Sequence, residues 1–177
     1  MKSSRLIIFG VLILDVISIG IMIPAFDTMR AYYHMLPWSG NILGQSISLT
    51  PGTMISLGIA IYSLCAFFSA PILGRLSDKY GRKKPLILCV IGTCLSYLIL
   101  LVTQNYWWYI VSRIVNGLTG GNISIIQAVL ADISPTSEER NKNFGLLGAI
   151  FGIGFIIGPL LGTVFMKLAN IETIFIF

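Results

Sequence analysis

The sequence predicts an all-α membrane protein, a bundle of long spanning helices, and three observations carry that prediction. Hydrophobic residues make up 55% of the 177 positions and charged residues only 11%, whereas soluble globular chains carry roughly 25% charged residues. The apolar residues fall in runs near or above the ~20 residues that a helix needs to cross a bilayer. The charges gather between those runs: five of the twelve basic residues (Arg75, Lys79, Arg82, Lys83, Lys84) lie in Gly74–Leu86, GRLSDKYGRKKPL. The length admits five or six spans in one unit, 1–177, without a separate soluble domain.

Taken in order, the first span is expected over 6–24. Lys2 and Arg5 ahead of an apolar core resemble a signal peptide, but Asp15 interrupts the core, the run continues to Ile23, and further spans follow. Residues 27–52, with Pro37, Gly40 and Pro51, read as a long external loop. The second span is expected over 53–73 and the third over 86–102, with Pro85 opening a helix in which its missing N–H costs little. After a short turn comes Tyr106-Trp107-Trp108-Tyr109, an aromatic cluster of the kind found at membrane–water interfaces. The fourth span then runs over 106–131, a polar loop covers 132–143, the fifth span is 144–166, and a sixth begins at 173. This topology places nine basic residues on one side: Lys2, Arg5, the five of Gly74–Leu86, Arg140 and Lys142. Only Arg30 and Lys167 fall on the other. The positive-inside rule makes the first side cytoplasmic, with the N-terminus on it.

Several function classes find no support. Cys65, Cys89 and Cys94 lie in apolar runs without metal-ligand spacing, and buried thiols of this kind behave as small hydrophobes. His34 stands alone in a loop and is given no role. No nucleophile–base set, phosphate loop or metal cluster is present in the sequence, so neither an enzyme nor a cofactor is expected. The net charge of +5 follows from membrane topology and is not a nucleic-acid signal.

The residues that carry chemistry are the exceptions to the apolar pattern. Asp15 lies ten residues past Arg5, ~15 Å along a helix and near mid-membrane. Arg113 lies seven past Tyr106, ~10 Å below the other interface. An intramembrane charge costs at least ~2.5–3.5 kcal/mol on insertion scales and marks either a structural pair or a functional pathway. A carboxylate opposed by desolvation and favoured by an arginine can switch with conformation between holding and releasing a proton. Asp78 and Arg82 are four apart and share a helical face, while Gly74 and Gly81 allow close approach or positive φ. Arg113, Gly117 and Gly121 recur at spacing four, with Gly120, Asn122, Ser124 and Gln127 nearby; such a face packs closely or lines a polar cavity. Gly154, Gly158 and Gly162 form a second small-residue stripe, Gly148 and Gly152 another pair, and Pro159 is expected to kink the fifth span.

These stretches resemble one family. GRLSDKYGRKKPL is similar to the cytoplasmic loop between the second and third helices of major facilitator superfamily transporters. Asp15 with Gly20-Ile21-Met22-Ile23-Pro24 resembles the first-helix acidic motif, and Arg113-x3-Gly117 with Gly120 and Gly121 the fourth-helix arginine motif. Gly154-x3-Gly158-Pro159-x2-Gly162 resembles the fifth-helix motif of drug:proton antiporters, and Leu130–Gly162 reads much like the matching part of tetracycline exporters. Two departures stand out: Ser96-Tyr97 where those exporters commonly have an acid before the tyrosine, and a longer first external loop.

The resemblance implies the N-terminal six-helix bundle of a two-half transporter, its sixth helix truncated. It implies proton exchange through Asp15 and Arg113, with Gln127 at the substrate cavity and a proton gradient as the energy source. Cytoplasmic gating would fall to Gly74, Asp78, Gly81 and Arg82. Helix packing would involve Gly117, Gly121, Gly154, Gly158, Pro159 and Gly162, with the fifth span at the interface between halves. The implied partners are the lipid bilayer, a small-molecule substrate and a C-terminal half without which transport is not expected. The implied location is a bacterial inner membrane. A sugar or metabolite carrier of the same superfamily, and a non-transporting membrane interaction protein, stand as alternatives.

Overall fold

The computed structural model describes residues 2–42, 45–102 and 104–168. Six helices and one hairpin follow in the order α1 (Lys2–Tyr32), β1 (Trp38–Ile42), β2 (Gln45–Leu49), α2 (Pro51–Tyr80), α3 (Lys83–Val102), α4 (Tyr106–Thr119), α5 (Asn122–Asp132) and α6 (Ser137–Leu168). Five helical stretches among the described residues are long and apolar enough to cross a membrane: Ile8–Phe26, Pro51–Tyr80, Lys83–Val102, Tyr106–Asp132 and Ser137–Leu168. The expected start of a sixth span at 173 lies outside the described residues.

α1 does not stop at Pro24. Ala25, Met29 and Tyr33 continue its buried stripe, at 0%, 0% and 1% exposure, and this packing carries the helix through the proline. It ends where Met35 N–H bonds back to the Arg30 carbonyl, with His34 in the left-handed region at φ 48°, the arrangement of a Schellman stop. The segment expected as an irregular external loop instead folds in part. β1 and β2 pair antiparallel from Trp38↔Leu49 to Ile42↔Gln45.

α2 starts earlier and ends later than expected. Thr50 caps it, its Oγ1 accepting from the Thr53 N–H at 3.3 Å, and Pro51 occupies the first turn. Thirty residues make a helix of ~45 Å, longer than the ~30 Å hydrocarbon core, so its last turns carry Asp78 and Lys79 beyond the apolar layer. Gly81, at φ 84°, reverses the chain, and α3 starts two residues later with Pro85 buried in its first turn. The basic loop is therefore mostly helix, with only Gly81 and Arg82 between α2 and α3.

Asn105 caps α4, its Oδ1 accepting from the Trp107 N–H at 3.0 Å. Helical periodicity splits the aromatic cluster. Tyr109 is buried and donates to the Ile55 carbonyl at 3.1 Å, while Trp107 and Trp108 are exposed. The fourth span is not one helix: it breaks at Gly120–Gly121, where α4 ends and α5 begins.

α1 packs most closely on α6, and α4 packs against both α2 and α3. The core has two main parts. At the hairpin end, Ile21, Ala25, Met29, Tyr33, Leu100 and Tyr109 pack together. Toward the Arg82 end, Leu12, Val16, Ile126, Leu130, Leu147 and Ile150 do the same. The outer surface is apolar, with Leu14, Phe67, Phe68, Ile72, Ile156 and Leu160 among its exposed residues.

Candidate functional site

Among the buried polar groups of the described spans, Asn122 is the one that reaches Asp15. Leu12 and Val16, both fully buried, turn this side of α1 into the bundle and leave Asp15 half-buried beside the start of α5. Asn122 Nδ2 donates to Asp15 Oδ1 at 3.4 Å. Asn122 is the first residue of α5, 5% exposed, and its Oδ1 is buried without a hydrogen-bond partner among the described residues. Tyr62 of α2 and Tyr97 of α3 are neighbours of both Asp15 and Arg113.

Arg113 is 8% exposed and forms no ion pair with Asp15. Its guanidinium lies over the Tyr109 ring, 5.6 Å from the centroid. Nη1 reaches Met22 Sδ at 3.9 Å, Nη2 donates to Ser112 Oγ at 3.4 Å, and Nε has no partner among the described residues. The two intramembrane charges are thus held on separate supports, a side-chain amide for Asp15 and an aromatic face for Arg113. Gln127 is exposed on α5, between the buried Ile126 and Leu130. Sequence reasoning placed Asn122 on the polar face of the fourth span without singling it out. The available signal was its position directly after two glycines.

At the other end of α5, Arg82 gathers three oxygens. Nη1 donates to Asp78 Oδ1 at 2.5 Å and to Ser77 Oγ at 2.6 Å, and Nε to Asp132 Oδ2 at 2.8 Å. Asp132 was read as the start of a polar loop; it is the last residue of α5. The clamp therefore joins the end of α2 to the end of α5. The hydrogen bond that Arg82 donates to Asp132 is the main cause that holds Arg82 above its ordinary pKa, against desolvation and with Asp78 adding to it. Gly81 supplies the positive φ that aims Arg82 at these partners, whereas a side chain at Gly74 would meet nothing within 4 Å.

The glycine stripe of α6 makes backbone contact with α1. A Cβ on Gly158 would lie 2.6 Å from Gly20 Cα and 3.0 Å from the Ile17 carbonyl oxygen, and one on Gly162 would lie 2.5 Å from the Ile21 carbonyl oxygen. A Cβ on Gly154 would meet Val16 Cγ1 at 2.5 Å. Within this bundle these glycines are filled by α1, because Gly20 offers a matching notch; the expected role of the fifth span at an interface between halves is a separate matter. Pro159 follows in the same contact, its Cδ near Gly20, and α6 continues through it to Leu168. Gly117 receives α2 at Tyr62 and Cys65, and Gly121 receives Leu73. Apart from these groups, a cavity of about 780 Å³ opens at the hairpin end, lined in part by Tyr33, Met54, Tyr106 and Trp107.

A helical bundle with an apolar exterior, spanning-length helices and its few embedded charges turned inward is a multi-pass membrane protein. Its family follows from comparison: the model of the Major Facilitator Superfamily matches residues 8–177, and the chain belongs to that superfamily. It is similar to the class H tetracycline resistance protein of Pasteurella multocida, 35% identical over 92% of this chain and 37% of the relative. It is also similar to the class C tetracycline resistance protein of Escherichia coli, 34% identical over 92% of this chain and 38% of the relative. Major facilitator superfamily domain-containing protein 10 of Homo sapiens is 26% identical over 88% of this chain and 37% of its own length. The chain thus spans under two-fifths of the length of these relatives.

Proposed function

We propose that this bundle is the N-terminal half of a proton-coupled exporter of drugs or tetracycline-like compounds, working by alternating access between two halves. The observation that carries the reading is Asp15: a carboxyl group in a spanning helix, met among the described residues by an amide and not by a cation. Asparagine there would keep most of the polar contact without the cost of an embedded charge, so a group that takes up and gives back a proton is the function that favours aspartate. The tetracycline resistance proteins among its relatives support the substrate class.

In this reading Asp15 exchanges the proton, and Arg113, held by Tyr109, sets the field in which it does so. Gln127, exposed on α5, faces the substrate path. Arg82, with Asp78, Gly81 and Gly74, gates the cytoplasmic side. The nine-to-two distribution of basic residues supports a cytoplasmic N-terminus and a cytoplasmic Arg82, and the membrane of this reading is a bacterial inner membrane. The energy source is the proton gradient, without a cofactor.

The test is tetracycline- or dye-induced proton release in inverted vesicles containing the complete transporter. Asp15→Asn is expected to abolish uphill transport while leaving downhill exchange. Uphill transport by Asp15→Asn with the wild-type pH dependence would remove Asp15 from the coupling step.

A further inference from the structure

Asn122 carries a feature that its contact with Asp15 does not account for. Its amide N–H reaches the carboxylate, yet the other half of the same buried side chain, Oδ1, has no partner among the described residues. A buried acceptor left unpaired is costly, and most are paired in native proteins. A side-chain amide has both a donor and an acceptor, whereas an ionised carboxylate only accepts. Facing a carboxylate, the amide can use its donor alone. Facing a carboxylic acid, it can use both: the acid O–H donates to Oδ1 while the amide N–H donates to the acid carbonyl.

We propose that Asn122 is a positioning residue that registers the protonation state of Asp15. It holds the ionised carboxylate through one hydrogen bond and the neutral acid through two. Proton uptake moves one proton from water onto a carboxylate oxygen; the new O–H then donates to Asn122 Oδ1, and proton loss reverses both steps. The groups facing Asp15 from the neighbouring helices are compatible with this. Tyr62 of α2 and Cys89 and Tyr97 of α3 are its neighbouring titratable groups, and Arg113 of α4 is engaged with Tyr109, Met22 and Ser112. None of them is its hydrogen-bond partner. The location suits a reporter, because Asn122 is the first residue of α5 and the Gly120–Gly121 break separates it from α4. A carboxylate there also meets the favourable end of the helix dipole.

The inference rests on the reading of Asp15 as the coupling group, but its test needs no transport. The purified chain is titrated with acid in detergent or lipid, and infrared difference spectra are recorded, with asparagine side chains labelled by carbon-13. Protonation of Asp15 is expected to produce a carboxylic-acid carbonyl band at a hydrogen-bonded position and, with the same midpoint, a shift in an asparagine amide band. Both features should vanish in Asp15→Ala. In Asn122→Leu the acid band should persist but move to the higher frequency of an unpaired acid, and Asn122→Gln should return part of the shift. An asparagine band that ignores the Asp15 midpoint in the unmutated protein overturns the proposal even if Asn122→Leu fails to fold. An acid band unmoved by Asn122→Leu also overturns it. Normal spectra together with uphill transport by Asp15→Asn would leave this pairing standing and defeat the coupling role instead.

Discussion

The α1–α6 seam offers a graded test of packing, because three glycines of one helix meet three different surroundings. At Gly158 an added methyl would lie 2.6 Å from Gly20 Cα, 3.0 Å from Gly20 C and 3.0 Å from the Ile17 carbonyl oxygen. All three are backbone atoms, so no rotamer change relieves the overlap and the helices must separate. Overpacking of this kind costs ~1–3 kcal/mol, and a backbone clash belongs at the upper end, about a hundredfold in the folding equilibrium. At Gly154 the nearest atoms are Val16 Cγ1 at 2.5 Å and Cβ at 3.0 Å, on a β-branched side chain with little rotamer freedom in a helix, so Gly154→Ala should cost ~1–2 kcal/mol, less than the clash with backbone alone. At Gly148 a methyl meets nothing within 4 Å, and Gly148→Ala should stabilise the helix by ~0.5–1 kcal/mol through reduced backbone freedom. The assay is thermal or denaturant unfolding of the purified chain in one detergent, followed by circular dichroism. The expected order of stability is Gly148→Ala, wild type, Gly154→Ala, Gly158→Ala. Equal stability of Gly158→Ala and Gly148→Ala would refute the claim that α1 and α6 meet backbone to backbone.

Two further predictions concern the ends of helices. His34 ends α1 at φ 48°, a region that costs an ordinary L-residue ~1–2 kcal/mol. His34→Gly should therefore raise the unfolding midpoint, and His34→Val should lower it because β-branching aggravates the strain; the same denaturation assay reads both. For orientation, single cysteines at Lys83 and Ser39, both exposed, in a variant lacking Cys65, Cys89 and Cys94, should label from opposite sides. An impermeant reagent should reach position 39 but not 83 in intact cells. Ser77, although in the same basic stretch, is a poor probe at 1% exposure.

What the sequence made legible was what depends on local pattern. Apolar runs located the spans, the four-residue spacing of Asp78 and Arg82 matched an ion pair, and the spacing-four glycines Gly154, Gly158 and Gly162 marked close approaches, although Gly148 and Gly152 at the same spacing meet nothing within 4 Å. What it hid depends on partners distant in the chain. Asp132 lies fifty residues from Arg82 and looked like a loop residue because nothing local shows where α5 points. The Gly120–Gly121 pair was read as packing, and Gly121 does pack on Leu73, but two adjacent glycines also let the helix break. Pro24 looked like a terminus, yet buried packing beyond it sustains α1, as neighbouring helices commonly do for prolines in spanning segments. The hairpin escaped notice because five-residue strands carry little periodic signal.

The Arg82 clamp yields the last prediction, and its force comes from the shape of α5. That helix has eleven residues, ~16 Å of length, with Asn122 against Asp15 at one end and Asp132 against Arg82 at the other. If the helix moves as a rigid unit, a displacement at one end would be carried to the other. The raised pKa of Arg82 means that its share of stability is fully present below the unfolded value and is lost only as pH rises through the still higher folded value. The guanidinium therefore stays charged throughout the physiological range, and any pH response of the clamp must arrive from elsewhere. Asp78 and Asp132 have 66% and 54% exposed side chains, so each pair contributes only ~0–1 kcal/mol to folding and is weakened by salt. Asp78→Asn and Asp132→Asn should accordingly reach the membrane at near-normal levels. If the clamp gates, each should nonetheless abolish efflux by the complete transporter. Asp132→Asn should also weaken the dependence of gate accessibility on the protonation of Asp15, because it severs the far end of α5 while leaving Asp78 in place. Normal efflux by Asp132→Asn, with Asp78→Asn inactive, would confine the gate to the α2–α3 turn and remove α5 from the path between proton and gate.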